Sequence, residues 1–135
     1  MIVSSRQPLR VAIAGLGFGQ AVHLPALQDC PTTEPVALWH PRPERLEAAC
    51  RATGLAGFSA FEALLADPGI DAIVIATPPE PRFALARAAL EAGKHLLLEK
   101  PVALRTAQVE ELQRLALARH CCVAVGRSEE HTSEL

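Results

Sequence analysis

The feature that most constrains this chain is an alternation between two kinds of hydrophobic segment. Short apolar runs, mostly without intervening polar residues, are typical of strands buried on both faces of a parallel sheet. Five such runs are Leu9–Ala14, Pro35–Trp39, Asp71–Ala76, His95–Leu98 and Cys121–Val125. Segments with helical character lie between them, at Gly19–Gln28, Pro43–Thr53, Ala60–Ala66, Pro81–Ala92 and Thr106–Arg119. This order predicts right-handed βαβ units and therefore a doubly wound α/β fold with a parallel sheet.

Length and charge narrow the possible functions. The 135 residues suit one domain, and 13 basic against 15 acidic side chains give a net charge of -2. This balance argues against a strongly basic nucleic-acid binder, and the apolar runs are far too short to cross a bilayer. The N-terminus lacks the apolar core of a signal peptide, so we expect a cytoplasmic protein. The four cysteines show no metal-ligand spacing, and we expect buried, reduced thiols and no metal site.

A glycine-rich turn follows the first predicted strand and opens the first predicted helix. Its sequence is Gly15-Leu16-Gly17-Phe18-Gly19-Gln20. Gly15 would permit a tight turn, and Gly17 would let the backbone approach a pyrophosphate at the helix N-terminus. The third glycine of the G-x-G-x-x-G pattern is expected where Gln20 stands, one place after Gly19. The alternative is a turn that needs glycine only for its dihedral angles.

The residues after the second predicted strand indicate which dinucleotide is bound. An NAD-selective site usually carries Asp or Glu there to bind the ribose hydroxyls. This chain instead has His40, with Arg42 two residues on. Because arginine can receive a 2′-phosphate that an acidic residue would repel, NADP is favoured over NAD. The alternative is that Arg42 and Arg45 merely form a solvated helix face.

Four segments in this order resemble the nucleotide-binding domain of the Gfo/Idh/MocA oxidoreductase family. They are Val11–Leu27 with the glycine turn, Asp71–Pro79 (DAIVIATPP), Ala88–His95 (AALEAGKH) and Leu98–Pro101 (LEKP). The combination is far more specific than any one motif. The resemblance implies a Rossmann-like NAD(P)-binding domain and an oxidoreductase acting on C–OH or C=O groups of a sugar- or polyol-like substrate.

The resemblance also assigns roles to residues at matching positions. Gly15, Gly17, Phe18 and Gly19 look like the pyrophosphate loop, and Ala76, Thr77 and Pro78 like the loop beside the cofactor. Glu99, Lys100 and Pro101 match the family's E-K-P motif, whose proline often follows a cis peptide bond. The lysine of that motif lies near the nicotinamide and the substrate, so Lys100 is the candidate catalytic residue.

Two further positions bear on the local geometry. His23 resembles the family's histidine after the glycine loop, and we interpret it as a structural or supporting residue rather than a catalytic one. Arg82 stands where many members have a histidine after the T-P-P loop, and that departure leaves its contact open.

The resemblance further implies that a substrate-binding α+β domain should follow residue 126. Residues 1–126 are therefore interpreted as a dinucleotide-binding domain, inactive alone, of a parent that binds a small-molecule substrate and forms homo-oligomers. Residues 127–135 (RSEEHTSEL) resemble the translation of a sequencing adapter, so we interpret them as a non-native tail. The alternative function is a regulatory module that binds a dinucleotide without turnover.

Overall fold

The fold is built around one parallel sheet. The computed structural model describes residues 7–126, so the interpretation of residues 127–135 as a tail lies outside the described residues. The strands are β1 Leu9–Ala14, β2 Thr33–Trp39, β3 Ala56–Phe58, β4 Ala72–Ile75, β5 His95–Leu98 and β6 Val123–Val125. They pair in parallel in the order β3-β2-β1-β4-β5-β6. This is the doubly wound order, whose strand sequence reverses between β1 and β4.

Helices connect successive strands and cover the sheet. A π-helical turn, Gly19–His23, leads directly into α1, Leu24–Asp29. The remaining helices are α2 Pro43–Thr53, α3 Phe61–Ala66, α4 Pro79–Glu91 and α5 Thr106–Ala118. Within residues 7–126, no helix combines the length and apolar character needed to cross a membrane.

The sheet buries a separate core on each face because successive side chains of a strand point in opposite directions. On one face, Ile73 and Ile75 of β4 pack with residues of α3, α4 and α5, including Leu90. On the other, Ile13 and Val74 pack with residues of α1 and α2. All four residues of β4 are buried, which explains their uninterrupted apolar sequence.

The predicted elements agree with the structure except at a few boundaries and in one short strand, β3. The helix Pro43–Thr53 and the strand His95–Leu98 are confirmed to the residue. β3 was not predicted, because three residues with Gly57 at their centre carry no hydrophobic periodicity. A side chain at Gly57 would lie 2.6 Å from Cys50 Sγ, so β3 packs closely against α2.

The last strand begins two residues later than predicted because the end of α5 takes up the preceding residues. The Cys121 amide donates a hydrogen bond to Ala116 O at 2.9 Å, and His120 has a φ of +57°. Cys121 therefore belongs to the turn that ends the helix. The cysteines are free thiols as expected, but the expectation that they are buried is wrong: Cys122 is exposed and the other three are half-buried.

A buried lysine connects the loop before β5 to the turn before β4, at the amino-terminal edge of the sheet. Lys94, 8% exposed, precedes β5. Its ammonium group donates hydrogen bonds to Asp67 O at 2.9 Å and to Ile70 O at 2.6 Å. These carbonyls belong to the turn between α3 and β4, so Lys94 holds the starts of two adjacent strands in place.

Replacing Lys94 by methionine should therefore destabilise the fold. The side chain keeps a similar volume, but the buried Ile70 carbonyl and the half-buried Asp67 carbonyl lose a charged donor. We therefore expect the free energy of unfolding in urea to fall by about 2–4 kcal/mol. The control is Arg51→Met on α2, which removes an exposed pair with Glu47 and should cost less than about 0.5 kcal/mol. Equal, small losses in both variants would contradict a structural role for Lys94.

Candidate functional site

The candidate site lies at the carboxyl ends of the strands, where the strand order reverses. At this point β1 contacts both of its neighbours: the Gly15 amide donates to Trp39 O at 3.3 Å, and the Ala76 amide donates to Ala14 O at 2.8 Å. The connections after β1 and β4 run to opposite faces of the sheet, which leaves a crevice between them. A cleft of about 720 Å³ occupies this position.

Seven of the twelve predicted site residues line this cleft. They come from three segments that are far apart in sequence: Gly15, Gly17, His40, Arg42, Ala76, Thr77 and Pro78. The cleft therefore joins the glycine turn after β1, the loop after β2 and the loop after β4, as the sequence predicts for a dinucleotide.

Gly15 is required by the fold itself. Its φ is +105°, and a Cβ placed there would lie 2.7 Å from Ala76 C and 2.8 Å from Thr77 N. No side chain fits so close to a backbone, so the turn after β1 can lie against the loop after β4 only with glycine at this position.

Neither the backbone conformation nor close packing requires glycine at Gly17. It is not among the positive-φ residues, and a Cβ placed there would meet no atom within 4 Å. The protein itself therefore gives no reason for glycine at a residue that lines the cleft. The open space above Gly17 is what a pyrophosphate approaching the backbone needs, so the turn fits a dinucleotide.

Gly19 has a packing role instead. It is buried, does not line the cleft, and leaves no room for a side chain because a Cβ would lie 2.7 Å from Ile13 Cγ2. It begins the π-helical turn, in which the Leu24 amide donates to Gly19 O. Close contact between helix and strand is the usual role of the third glycine of the pattern, and Gly19 performs it one place earlier than Gln20.

The loop after β2 gives one end of the cleft a positive charge. Arg42 and Arg45 both line the cleft and are both exposed. His40 Nδ1 accepts a hydrogen bond from the Arg42 amide at 3.0 Å, which fixes the ring against the start of α2. Burial of the ring, together with the charge of Arg45, lowers the pKa of His40, so the ring is neutral at pH 7 and the two arginines carry the charge.

The remaining predicted residues lie near the cleft without lining it. Phe18, 51% exposed, projects from the glycine turn, and its ring meets the His23 ring edge-on at 5.3 Å between centroids. Lys100 is exposed at the end of β5, and the Lys100–Pro101 peptide bond is cis, as the E-K-P motif leads one to expect. This motif therefore stands at the carboxyl edge of the sheet, one strand beyond β4.

The Glu99 carboxylate is held by the protein. His23 Nε2 lies 2.7 Å from Glu99 Oε2, and a Cβ on Gly126 would come within 2.9 Å of the same oxygen. His23 is 9% exposed, in keeping with its interpretation as a supporting residue. The pair therefore connects the first helical turn to the E-K-P motif.

Among residues 7–126, no group of three or more His, Cys, Asp or Glu side chains lies in an arrangement that could hold a metal ion. The cleft is lined by the backbone of the glycine turn and by Arg42 and Arg45, which suit a phosphate-bearing ligand.

Comparison with known proteins identifies the family. The sequence model of the Gfo/Idh/MocA group, described as an oxidoreductase family with an NAD-binding Rossmann fold, matches residues 9–127. The chain belongs to the Gfo/Idh/MocA oxidoreductase family. It supplies the NAD(P)-binding domain of that family, as the four motif segments indicated.

Individual relatives of this Gfo/Idh/MocA domain are also oxidoreductases. The chain is 43% identical over 112 residues to the uncharacterized oxidoreductase sll0816 of Synechocystis sp., which covers 82% of this chain and 30% of that protein. It is 35% identical over 117 residues to a dTDP-3,4-didehydro-2,6-dideoxy-alpha-D-glucose 3-reductase of Streptomyces violaceoruber, covering 86% of this chain and 34% of the reductase. The chain thus spans about a third of the curated relatives it matches.

A solved structure shows the same fold. The crystal structure of the 3-ketoreductase KijD10 from Actinomadura kijaniata in complex with NADP superimposes with a TM-score of 0.85 at 28% identity. The match covers 95% of this chain and 42% of the reductase.

The prediction from sequence missed several residues of the Gfo/Idh/MocA cleft. Arg45 was considered only as part of a solvated face, although its spacing of three from Arg42 places both on one side of the helix start. Trp39 ends β2 and lines the cleft, and its buried Nε1 has no hydrogen-bond partner in the described structure. Its position as the last residue of a strand could have identified it.

The two glycines of the turn should respond differently to alanine. Gly15→Ala forces a side chain against the Ala76 backbone at a left-handed φ, and we expect it to lower the free energy of unfolding by more than about 2 kcal/mol. Gly17→Ala should change stability by less than about 0.5 kcal/mol. It should nevertheless weaken dinucleotide binding about tenfold, because the Cβ occupies the space for the pyrophosphate.

Thermal unfolding and calorimetric titration of the two variants separate these effects. Unchanged dinucleotide affinity in Gly17→Ala would show that the open space above this residue is not the pyrophosphate site.

Proposed function

We propose that the chain binds NADP in preference to NAD, with the 2′-phosphate on Arg42 and Arg45. The observation that carries this proposal is the charge of the cleft. Two guanidinium groups line it next to β2, whereas no Asp or Glu within residues 7–126 does. A carboxylate in this position would bind the free ribose hydroxyls and repel a 2′-phosphate. The complex of KijD10 with NADP supports the same choice.

The proposed orientation follows from the order of the strands. The adenosine half lies over β2, beside His40 and the arginines, and the pyrophosphate lies over Gly15 and Gly17. The nicotinamide half then extends across the reversal point to the loops after β4 and β5. Ala76, Thr77 and Pro78 form one of these loops, and Glu99, Lys100 and Pro101 form the other.

Lys100 is the proposed catalytic residue of the full-length protein. When bound, the nicotinamide supplies or accepts a hydride. The Lys100 ammonium is exposed at the edge of the sheet where the nicotinamide half is placed. A positive charge there can orient a substrate hydroxyl and stabilise the negative charge that develops on its oxygen.

The proposed substrate is a sugar-like or polyol-like hydroxyl or carbonyl compound, which the full-length protein would bind. The support is the similarity to a reductase of a dideoxyhexose nucleotide. The match covers about a third of the length of these relatives. Part of the substrate site would come from the region that corresponds to the remainder. The alternative is a regulatory module that binds the dinucleotide without turnover. It would use the same cofactor-binding residues, but Lys100 would have no catalytic role.

The choice of cofactor is tested by replacing Arg42 with alanine. Loss of a charge-assisted contact to the 2′-phosphate should raise the Kd for NADPH about tenfold and the Kd for NADH less than about twofold. Calorimetric or fluorescence titration of the chain with each cofactor measures both values.

Arg51→Ala is the matched control. Arg51 lies on α2, the helix that Arg42 precedes, but does not line the cleft, so its replacement should leave both affinities unchanged. Equal weakening of NADPH and NADH binding by Arg42→Ala would overturn the phosphate role, and tighter binding of NADH by the unaltered chain would overturn the preference for NADP.

A further inference from the structure

Arg82 is a buried cation near the start of a helix. It lies in the first turn of α4, where the helix dipole disfavours a cation, yet only 4% of it is exposed. A buried charge in such a place is tolerated only when hydrogen bonds compensate for its lost hydration. The arginine must therefore be held by strong partners.

Those partners are three backbone carbonyl oxygens from two separate loops. Nη1 donates to Glu99 O at 2.8 Å and also to Pro101 O. Nη2 donates to Thr77 O. One nitrogen thus bonds to the residues on either side of Lys100, and the other bonds to the loop after β4.

This arrangement fixes Lys100 through its backbone. The carbonyls of Glu99 and Pro101 flank Lys100, so a single nitrogen that bonds to both restricts the backbone from which the lysine side chain projects. Because the guanidinium is planar and rigid, it also sets the separation between this segment and Thr77. A lysine ammonium, a point charge on a flexible stem, could not bridge the two loops in the same way.

The charges around Arg82 are consistent with this role. Burial lowers the pKa of the guanidinium, and the nearby Glu99 carboxylate opposes that effect. The same carboxylate is bound by His23, so the segment 99–101 is held by its side chain from one helix and by its backbone from another.

We infer that Arg82 is the positioning residue for Lys100: its guanidinium holds the loops after β4 and β5 at the spacing that lets Lys100 meet the nicotinamide half of the cofactor. This inference rests on the proposed function, in which the nicotinamide half lies over β4 and β5. Arg82 itself is buried and does not line the cleft. Its effect on the cofactor passes through the two loops.

The test compares two ligands in the 135-residue chain. NADPH spans the whole site, whereas adenosine 2′,5′-bisphosphate occupies only the proposed adenosine end near Arg42. Arg82→Lys should raise the Kd for NADPH about fivefold or more and change the Kd for the bisphosphate less than about twofold. Arg82→Gln, which lacks the charge, should behave in the same way and serves if the lysine variant does not fold.

A double-mutant cycle with Lys100→Met shows whether Arg82 acts through Lys100. If it does, the losses of NADPH affinity from replacing Arg82 and Lys100 should be less than additive in the double variant, since coupled residues are not additive. A residue that merely stabilises the fold would give additive losses, or equal losses for both ligands.

Each outcome decides between the hypotheses. Additive or equal losses, or failure of both Arg82 variants to bind the bisphosphate, would overturn the positioning role. If the unaltered chain binds neither ligand, the proposed function itself fails. If it binds both and the Arg82 variants bind NADPH normally, only the positioning role fails.

Discussion

The contact between Gly15 and the backbone of Ala76 is the constraint on which the site depends. It brings the turn after β1 against the loop after β4 at the one place where the strand order reverses. A side chain at Gly15 would push these two segments apart, and the crevice between them would change shape. The glycine turn, the charged loop after β2 and the E-K-P motif all take their relative positions from this pairing of β1 and β4.

The carboxyl edge of the sheet divides into two ends with different chemistry. At β2, Arg42 and Arg45 give the cleft a positive charge without any acidic counterpart among the described lining residues. At β5, two buried side chains, His23 and Arg82, form hydrogen bonds with Glu99, which precedes Lys100. These features match the proposed roles: binding a phosphate needs charge, and a catalytic lysine needs accurate placement.

The sequence predicts the fold well because strands buried on both faces and helices with proline starts leave strong local signals. The glycine turn and the residues after the second strand indicate Gly15, Gly17, His40 and Arg42, whereas Ala76, Thr77 and Pro78 come from the resemblance to the family. β3 is missed because three residues around Gly57 have no periodicity, and Arg45 because an arginine in the first turn of a helix fits a solvated face equally well. The contacts of Arg82 could not be predicted at all, since its partners are backbone carbonyls, which every residue possesses.

We propose that a dinucleotide lies across the carboxyl edge of the sheet, from the loop after β2 to the loop after β5. Amide chemical shifts of the isotopically labelled chain, followed by NMR during titration with NADP⁺, test it most directly. We expect the largest changes at Gly15, Gly17, Arg42 and Thr77. Changes at Lys100 should be smaller, and Asp71 and Lys94 on the opposite edge should show none. Changes concentrated at the opposite edge, or none anywhere at saturating NADP⁺, would contradict it.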